Sequence, residues 1–191
     1  MREYKYGKEV KFALKLLEYY DKEEVEKFSC GNKRLDDYIH QEIFCGNEVL
    51  NEDGLIFKVE DMENETIIAL VSLAASGLIF TQTNYMKLLP AIKIDVFAVD
   101  VKYQKMHYDE ESENANNPDD HYYLSDCIMA EVIKHCNQIS EEKALVDYVL
   151  LYADKHARRF YDRNLFSEFK SYMKKENNME INRNIPMYMK L

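Results

Sequence analysis

Hydrophobic and polar positions follow two different periods along this chain, and each period predicts one type of element. Alternation predicts a strand at 55–59, and apolar runs rich in β-branched residues predict buried strands at 66–75 and 92–99. An apolar stripe with spacings of three and four predicts an amphipathic helix over 122–139. Weaker patterns predict helices at 33–44 and 155–163 and strands at 144–152, 165–169 and 185–191, whereas 11–17 fits a strand or a helix. This order predicts an α+β fold of three layers, in which helices cover a mixed sheet.

Residues 106–121 interrupt this pattern with a polar stretch that we interpret as a surface loop. Its central part, 109–120, holds six acidic residues, three Asn and Pro118, and its only apolar side chain is Ala115. This composition predicts a loop that is mobile and dispensable for folding. A length of 191 residues suits one hydrophobic core. We therefore expect a single domain over 1–191, with the acidic loop as an insertion.

The formal charge of the chain is −10, which argues against a general nucleic-acid coat and against a protein that binds anionic membranes. The charge is unevenly distributed, because 109–120 carry −6 whereas 155–191 carry nine basic and four acidic side chains. The basic C-terminal fifth is either a surface that faces an anion or a solvated surface of mixed charge. The sequence alone leaves both interpretations open.

Cysteine and histidine spacings give no support to a disulfide framework or to a metal site. The four cysteines form no C-x-x-C pair, and the five histidines do not fall at metal-ligand spacings with them. The first residues, MREYKYGKEVK, are charged and lack the apolar core of a signal peptide. We therefore expect buried thiols, no bound metal, no membrane partner and a cytoplasmic location.

Four short motifs lie in a fixed order along most of the chain. They are FSCGNKRLDDYI at 28–39, FAVDVKYQ at 97–104, YADKHARRFYDRNLF at 152–166 and IPMYMKL at 185–191. In this order they resemble the GNAT N-acetyltransferases, and the first motif resembles the branch that includes tRNA-acetylating toxins. The resemblance implies a mixed, mostly antiparallel sheet in which a bulge splays the parallel strands 92–99 and 144–152, the family's strands four and five.

The resemblance also implies where acetyl-CoA, the family's co-substrate, binds. Its pantetheine arm fits between the two splayed strands and hydrogen-bonds the backbone of the first of them. Gln104 opens the loop that holds the pyrophosphate, and Asp154 follows the second splayed strand. The cofactor-binding residues implied in this way are Phe97, Ala98, Val99, Gln104 and Asp154.

The family's reaction is direct attack of a neutral amine on the acetyl thioester, after which the departing thiolate needs a proton. Tyr161 occupies the position whose hydroxyl usually supplies that proton, since an ordinary tyrosine, with a pKa of about 10, is protonated at neutral pH. Asp95 and His156 are candidates for a general base, and neither is favoured. The resemblance implies transfer to a primary amine of a small molecule, a protein or an aminoacyl-tRNA, and it leaves a homodimer open.

One departure from the family pattern keeps a second function open. The family's pyrophosphate loop reads Q/R-x-x-G-x-G/A, but both glycines are missing after Gln104 and the acidic insert follows. In one interpretation, 121–124 form a shortened anion nest, with positive charge from Lys105 and His121. In the other, the site has decayed and the chain is a non-catalytic GNAT-fold binding module.

Two smaller departures concern a turn and the acceptor. Leu165 occupies a position where the family pattern has glycine. Val96 and Phe97 fill the places before A-V-D where the toxin branch tends to have a basic residue. Together with the acidic total, this second departure disfavours a nucleic acid as the acceptor, with tRNA left as the one nucleic acid still open.

Overall fold

The computed structural model describes residues 4–50, 54–82, 85–177 and 183–191. The α-helices in these ranges are α1 (Lys22–Val25), α2 (Lys33–Gln41), α3 (Glu110–Glu113), α4 (Leu124–Glu142) and α5 (Arg158–Arg163). None of these helices combines the length and the apolar character that a membrane-spanning helix requires. The strands are β1 (Phe12–Leu16), β2 (Phe44–Cys45), β3 (Glu48–Val49), β4 (Leu55–Asp61), β5 (Ile67–Gln82), β6 (Tyr85–Val99), β7 (Tyr148–Ala153), β8 (Ser167–Glu168), β9 (Met173–Lys174) and β10 (Ile185–Lys190).

Eight strands form one mixed sheet with the order β1-β4-β5-β6-β7-β10-β8, in which β9 also pairs with β5. β6 and β7 are parallel, whereas β1–β4, β5–β9, β7–β10 and β8–β10 are antiparallel. Parallel neighbours need a crossover connection, and the segment that contains α4 supplies it. β2 and β3 form a separate small hairpin. The predicted α+β fold with a mixed, mostly antiparallel sheet and flanking helices is confirmed.

The chain divides into two compact units, and a single domain over 1–191 stays a prediction. The first unit comprises 1–72 with 96–128, and the second comprises 73–95 with 129–191. Within the first unit, Asn32 caps α2 by accepting a hydrogen bond from Leu35 N at 3.3 Å, which starts the helix where the sequence predicts it. The apolar core of this unit consists of Leu17, Val25, Phe28, Ile39, Ile43, Ile56, Ile67, Leu70 and Ala98.

Lys58 on β4 is a buried cation of the first unit, with 4% of the residue exposed. Its Nζ lies 2.6 Å from Asp21 Oδ1 and 3.0 Å from Glu60 Oε1. Burial acts to lower the pKa of Lys58, but the hydrogen bonds to the two carboxylates outweigh it and raise that pKa. Lys58 therefore stays charged and ties Asp21, which ends a 3-10 turn, to the sheet.

Aromatic side chains pack around β7 in the second unit. The ring centroids of Tyr148 and Tyr188, on the adjacent strands β7 and β10, lie 6.3 Å apart. The hydroxyl of Tyr152 accepts a hydrogen bond from Glu176 N at 2.8 Å, which holds the segment after β9 near the sheet. The buried centre of this cluster consists of Leu78, Ala91 and Leu150.

Some element boundaries differ from the sequence-based predictions. Segment 11–17 contains a strand, β1, and the predicted helix at 122–139 is α4, displaced by a few residues. β7 begins only at Tyr148, because Val146 N donates to the Ala144 carbonyl in a turn before it. The strand predicted at 165–169 is reduced to the two residues of β8.

Candidate functional site

The parallel pairing of β6 and β7 ends before either strand does. The last pair joins Ile94 and Leu151, while β6 continues to Val99 and β7 continues to Ala153. β7 remains paired with β10 as far as Ala153. The end of β6 therefore lies outside the β6–β7 ladder, as the resemblance implies for the splayed strands.

Gln104 braces the end of β6 through its side chain. Its Nε2 donates to the Val99 carbonyl at 2.8 Å and to the Cys30 carbonyl at 2.7 Å, so both amide hydrogens are used within the protein. Ala98 and Val99 are buried, and Phe97 is half-buried. Phe97, Ala98 and Val99 thus form the end of β6, Gln104 contacts it from the following turn, and their binding to a cofactor stays a prediction.

The first two motifs meet in one hydrogen-bonded junction. Asp100, which is 3% exposed, accepts from Ser29 N at 3.2 Å, and Val101 N donates to the Ser29 carbonyl at 2.9 Å. Asp36 on α2 accepts from Cys30 N and from Ser29 Oγ, both at 2.8 Å. The motifs contain both carboxylates, but only the structure reveals that they hold the segment before α2 against the turn after β6.

Replacing Asp36 with Ala is expected to lower the free energy of unfolding by about 1–3 kcal/mol at neutral pH, because Cys30 N and Ser29 Oγ lose their acceptor. Burial acts to raise the pKa of Asp36, but these hydrogen bonds outweigh it and hold that pKa below its usual value. Such a group adds stability above its unfolded-state pKa, and the gain is lost as the pH falls through the folded-state pKa. Denaturant unfolding at neutral and at acidic pH should therefore show a difference that shrinks in acid.

Asp37→Ala is the matched control for this prediction, since Asp37 follows Asp36 on α2. Asp37 Oδ2 lies 2.6 Å from Lys33 Nζ in an exposed ion pair one helical turn apart. Exposed pairs of this kind contribute about 0–1 kcal/mol. Equal losses in the two variants, or an Asp36→Ala loss that does not change with pH, would contradict the bracing role.

The start of α4 lies where the resemblance places the pyrophosphate, and the N–H groups that lead into it have partners inside the protein. Three consecutive N–H groups are engaged: Tyr122 N donates to Ser112 Oγ at 2.6 Å, Tyr123 N to Asp126 Oδ2 at 2.8 Å, and Leu124 N to the Met106 carbonyl at 2.9 Å. Asp126, whose side chain caps the helix start, is 1% exposed. The N–H groups of 122–124 are therefore not available to an anion in this arrangement.

The two side chains expected to supply positive charge to that nest lie in different settings. Lys105 is exposed to solvent. The ring of His121 packs against those of His107 and Tyr123, at centroid distances of 5.2 and 6.2 Å. Among the described residues, the buried Nδ1 of His121 has no hydrogen-bond partner. This nitrogen is enclosed by the protein and is not presented to a ligand in solvent.

The acidic loop is built into the first unit. Asp109 caps α3 by accepting from Ser112 N at 2.9 Å. The buried Ser112 hydroxyl also accepts from Tyr122 N and donates to the Tyr122 carbonyl at 2.7 Å. The Tyr6 hydroxyl donates to Glu113 at 2.9 Å, and this bond is the main cause that raises the pKa of Tyr6 to about 12. These contacts attach the loop to the rest of the unit, and its dispensability for folding stays a prediction.

Ser112→Ala is expected to lower the melting temperature by several degrees. The substitution leaves the N–H of Tyr122 without its acceptor, at a loss of about 1–3 kcal/mol, whereas the Tyr122 carbonyl still accepts from Tyr108 N. For a chain of this size, each kcal/mol corresponds to about 2–4 °C. Calorimetric melting measures the shift, and Ser167→Ala, at an exposed serine of β8, is the control. A melting temperature unchanged by Ser112→Ala would show that the loop contributes nothing to folding.

Tyr161 lies on α5, the short helix that follows β7 in the second unit. The residue is 9% exposed, and its ring packs edge-on against those of Phe160 and Phe166, at centroid distances of 5.1 and 5.8 Å. Burial, and after it the negative charge of Asp154, raise the pKa of the Tyr161 hydroxyl well above its usual value. The hydroxyl is therefore protonated at neutral pH, and its role as the proton donor stays a prediction.

The remaining predicted residues have structural partners. The exposed Asp154 accepts from His156 N at 2.8 Å and so caps the turn that precedes α5. α5 itself begins at Arg158, later than the sequence suggests. Asp95 Oδ1 lies 3.0 Å from Lys93 Nζ in an ion pair. Neither Asp95 nor His156 is distinguished as a general base by these contacts.

Leu165 adopts a left-handed backbone conformation, which favours glycine, the residue that the family pattern has at this position. Its φ is +68°, and its side chain is 79% exposed. The left-handed region requires no strain of glycine but about 1–2 kcal/mol of other residues.

Comparison with known proteins identifies the fold. No protein-family model and no curated protein matches the sequence. A bacterial toxin matches in structure with a TM-score of 0.65 at 16% identity, over 95% of this chain and 91% of that chain. AtaT complexed with acetyl-methionyl-tRNAfMet matches with 0.64 at 12%, over 94% and 95%. AtaTR bound with AcCoA matches with 0.64 at 12%, over 94% and 93%. The chain therefore has the fold of these toxins, which is the fold that the GNAT resemblance implies.

Proposed function

We propose that the chain is an acetyl-CoA-dependent N-acetyltransferase that acts on a primary amine. The observation that carries this proposal is the placement of Tyr161, a buried tyrosine on the helix after β7, at the family's proton-donor position. The fold shared with AtaT, whose structures include complexes with AcCoA and with acetyl-methionyl-tRNAfMet, supports the same reaction class.

In the proposed reaction, the nitrogen of the acceptor attacks the carbonyl carbon of the acetyl thioester, and the C–S bond breaks. The bonding pair leaves on sulfur, and the Tyr161 hydroxyl donates its proton to the thiolate. The acetylated nitrogen loses its extra proton to solvent, and solvent returns a proton to Tyr161. The backbone of Phe97, Ala98 and Val99 binds the pantetheine arm, as an added strand would.

Transfer from labelled acetyl-CoA to a panel of amines tests the proposal. The panel contains a polyamine, a lysine-containing peptide and an aminoacyl-tRNA, and titration calorimetry measures acetyl-CoA and CoA binding in parallel. We expect transfer to at least one amine and dissociation constants in the micromolar range. No transfer to any amine, together with no binding at millimolar donor, would contradict the proposal.

Most N–H groups at the start of α4 are already hydrogen-bonded within the protein, which favours a second candidate function, a non-catalytic GNAT-fold binding module. Tyr122, Tyr123 and Leu124 direct their N–H groups to internal acceptors, and Asp126 places a carboxylate in the same turn. This arrangement is the one expected of a CoA site that has lost its ability to bind the pyrophosphate. The two candidates differ in the titration, since the module binds neither acetyl-CoA nor CoA.

The same panel of amines identifies the class of molecule that receives the acetyl group. The acidic total of the chain disfavours tRNA, whereas Lys155, Arg158 and Arg159 expose basic side chains around α5 and favour an anionic acceptor. One of these charges is already balanced, because Arg158 Nε lies 2.8 Å from Glu168. Preferential transfer to the aminoacyl-tRNA over the polyamine would identify a nucleic-acid acceptor.

A further inference from the structure

We infer that the enzyme recognises its donor by the acetyl-pantetheine arm and does not bind the nucleotide of CoA, so that acetyl-pantetheine serves as well as acetyl-CoA. The inference rests on the proposed function and concerns the donor specificity of the same site. It depends on three features of the first unit. Most N–H groups at the start of α4 are already hydrogen-bonded, so are those of the turn after β6, and the charge near α4 is negative.

Most of the N–H groups around the start of α4 are already hydrogen-bonded within the protein. A helix start binds phosphate because its first N–H groups point outward without partners. Here the N–H groups of Tyr122, Tyr123 and Leu124 already have internal acceptors. Asp126 N donates in turn to the Tyr123 carbonyl at 3.0 Å. A phosphate would have to break these bonds before it gained any of its own.

The N–H groups of 101–104, in the turn between β6 and the loop, are hydrogen-bonded in the same way. Four consecutive N–H groups are engaged: Val101 N donates to the Ser29 carbonyl, Lys102 N to Asp100 Oδ1, and Tyr103 N and Gln104 N to the Asp100 carbonyl. The Gln104 side chain holds two further carbonyls. The glycines that would let this backbone approach a phosphate are also absent. The turn is therefore a brace for the strand and not a cradle for an anion.

The charge near α4 opposes a nucleotide as well. Asp126 is buried in the first turn of the helix, where its carboxylate occupies the positive end of the helix dipole. The loop that packs on this turn carries acidic side chains at Asp109, Glu110, Glu111 and Glu113. A doubly charged pyrophosphate placed here would meet carboxylates within a Debye length, about 8–10 Å.

The pantetheine arm does not meet this charge repulsion, because it is neutral and carries amide groups. Such an arm binds by hydrogen bonds to a strand edge, and the end of β6 lies outside the β6–β7 ladder. The thioester is identical in acetyl-pantetheine and acetyl-CoA. The same C–S bond therefore breaks, the same thiolate leaves, and the same proton from Tyr161 reaches the sulfur with either donor.

Comparison of kcat/KM for acetyl-CoA and S-acetyl-pantetheine, with one amine at fixed concentration, tests the inference. Each charge-assisted hydrogen bond to a phosphate would favour acetyl-CoA by about tenfold or more. We expect a ratio below about tenfold, since no such bond forms. A larger preference for acetyl-CoA would overturn the inference and leave the proposed acetyltransferase intact, whereas transfer from neither donor would overturn both.

Asp126→Asn provides a second readout that a purely structural role would not change. Asparagine retains an oxygen to accept from Tyr123 N but removes the charge, so the acetyl-CoA to acetyl-pantetheine ratio should rise about threefold. Glu131→Gln is the control, because Glu131 lies later on α4 and pairs with Lys134 at 2.9 Å. If the ratio of kcat/KM for the two donors does not change in Asp126→Asn, the Asp126 carboxylate does not exclude the nucleotide.

Discussion

Turnover in Tyr161→Phe should fall by at least about tenfold, while the affinity for acetyl-CoA stays close to that of the unaltered protein. The hydroxyl acts on a negative charge that exists on sulfur only as the C–S bond breaks. Its removal therefore weakens the transition state and not the bound donor, so kcat falls and KM does not. Steady-state kinetics on the best amine, with calorimetric titration of acetyl-CoA, measure the two quantities separately.

The fold should survive this substitution, because phenylalanine keeps the ring that packs against Phe160 and Phe166. Tyr188→Phe is the matched control, since Tyr188 lies on β10 in the same unit and its ring packs against Tyr148 and Phe169. Tyr152→Phe is less suitable, because the Tyr152 hydroxyl accepts from Glu176 N. Equal turnover in Tyr161→Phe and the unaltered protein would remove the proton-donor role from Tyr161.

Lys58→Met is expected to destabilise the protein by about 3–5 kcal/mol, the largest effect on stability that we expect here. Methionine fits the volume of the buried lysine stem but leaves the Asp21 carboxylate, 2.6 Å from the lost ammonium, without its partner. Much of the loss is therefore the penalty of an uncompensated buried charge. Denaturant unfolding monitored by circular dichroism measures it.

A second substitution separates that penalty from simple loss of packing. Asp21→Asn keeps an oxygen that can accept from Glu18 N, the partner that Asp21 has in its turn, and removes the charge. The double variant Lys58→Met with Asp21→Asn should regain a large part of the loss. Lys27→Met, at an exposed lysine paired with Glu24, should change stability little. A double variant no more stable than Lys58→Met alone would argue against a charge penalty.

Segments with strong periodicity were predictable because burial alone decides them. The stripe that contains Ile128, Val132 and Cys136 faces the core, and α4 follows it closely. The start of β7 was not predictable in this way. Leu145 belongs to the same apolar run as β7 but is 93% exposed, because the chain turns there before it pairs. Apolar character indicates burial, whereas pairing depends on the neighbouring strand.

The position of Tyr161 followed from a local motif, but the roles of Gln104 and Asp126 did not. Gln104 finds one of its acceptors in Cys30, which is distant in sequence, and so its bracing role depends on the fold. The role of Ser112 could not be predicted for the same reason. Composition indicates that the acidic loop is polar, but it does not indicate the hydrogen bond between Ser112 and Tyr122. The spacing of Tyr123 and Asp126 was the one local signal for an occupied helix start.

The hydrogen bonds between the N-terminal segment and the acidic loop have a consequence for the order in which the chain assembles. Gly7 N donates to the His107 carbonyl at 2.8 Å and Lys8 N to the Tyr108 carbonyl at 3.0 Å, across 100 residues of sequence. During synthesis these first residues leave the ribosome early, yet their partners emerge only after β6 is complete. Contacts of such long range raise the contact order and form late in folding. A nascent chain released before Tyr108 would leave this segment without its docking partner.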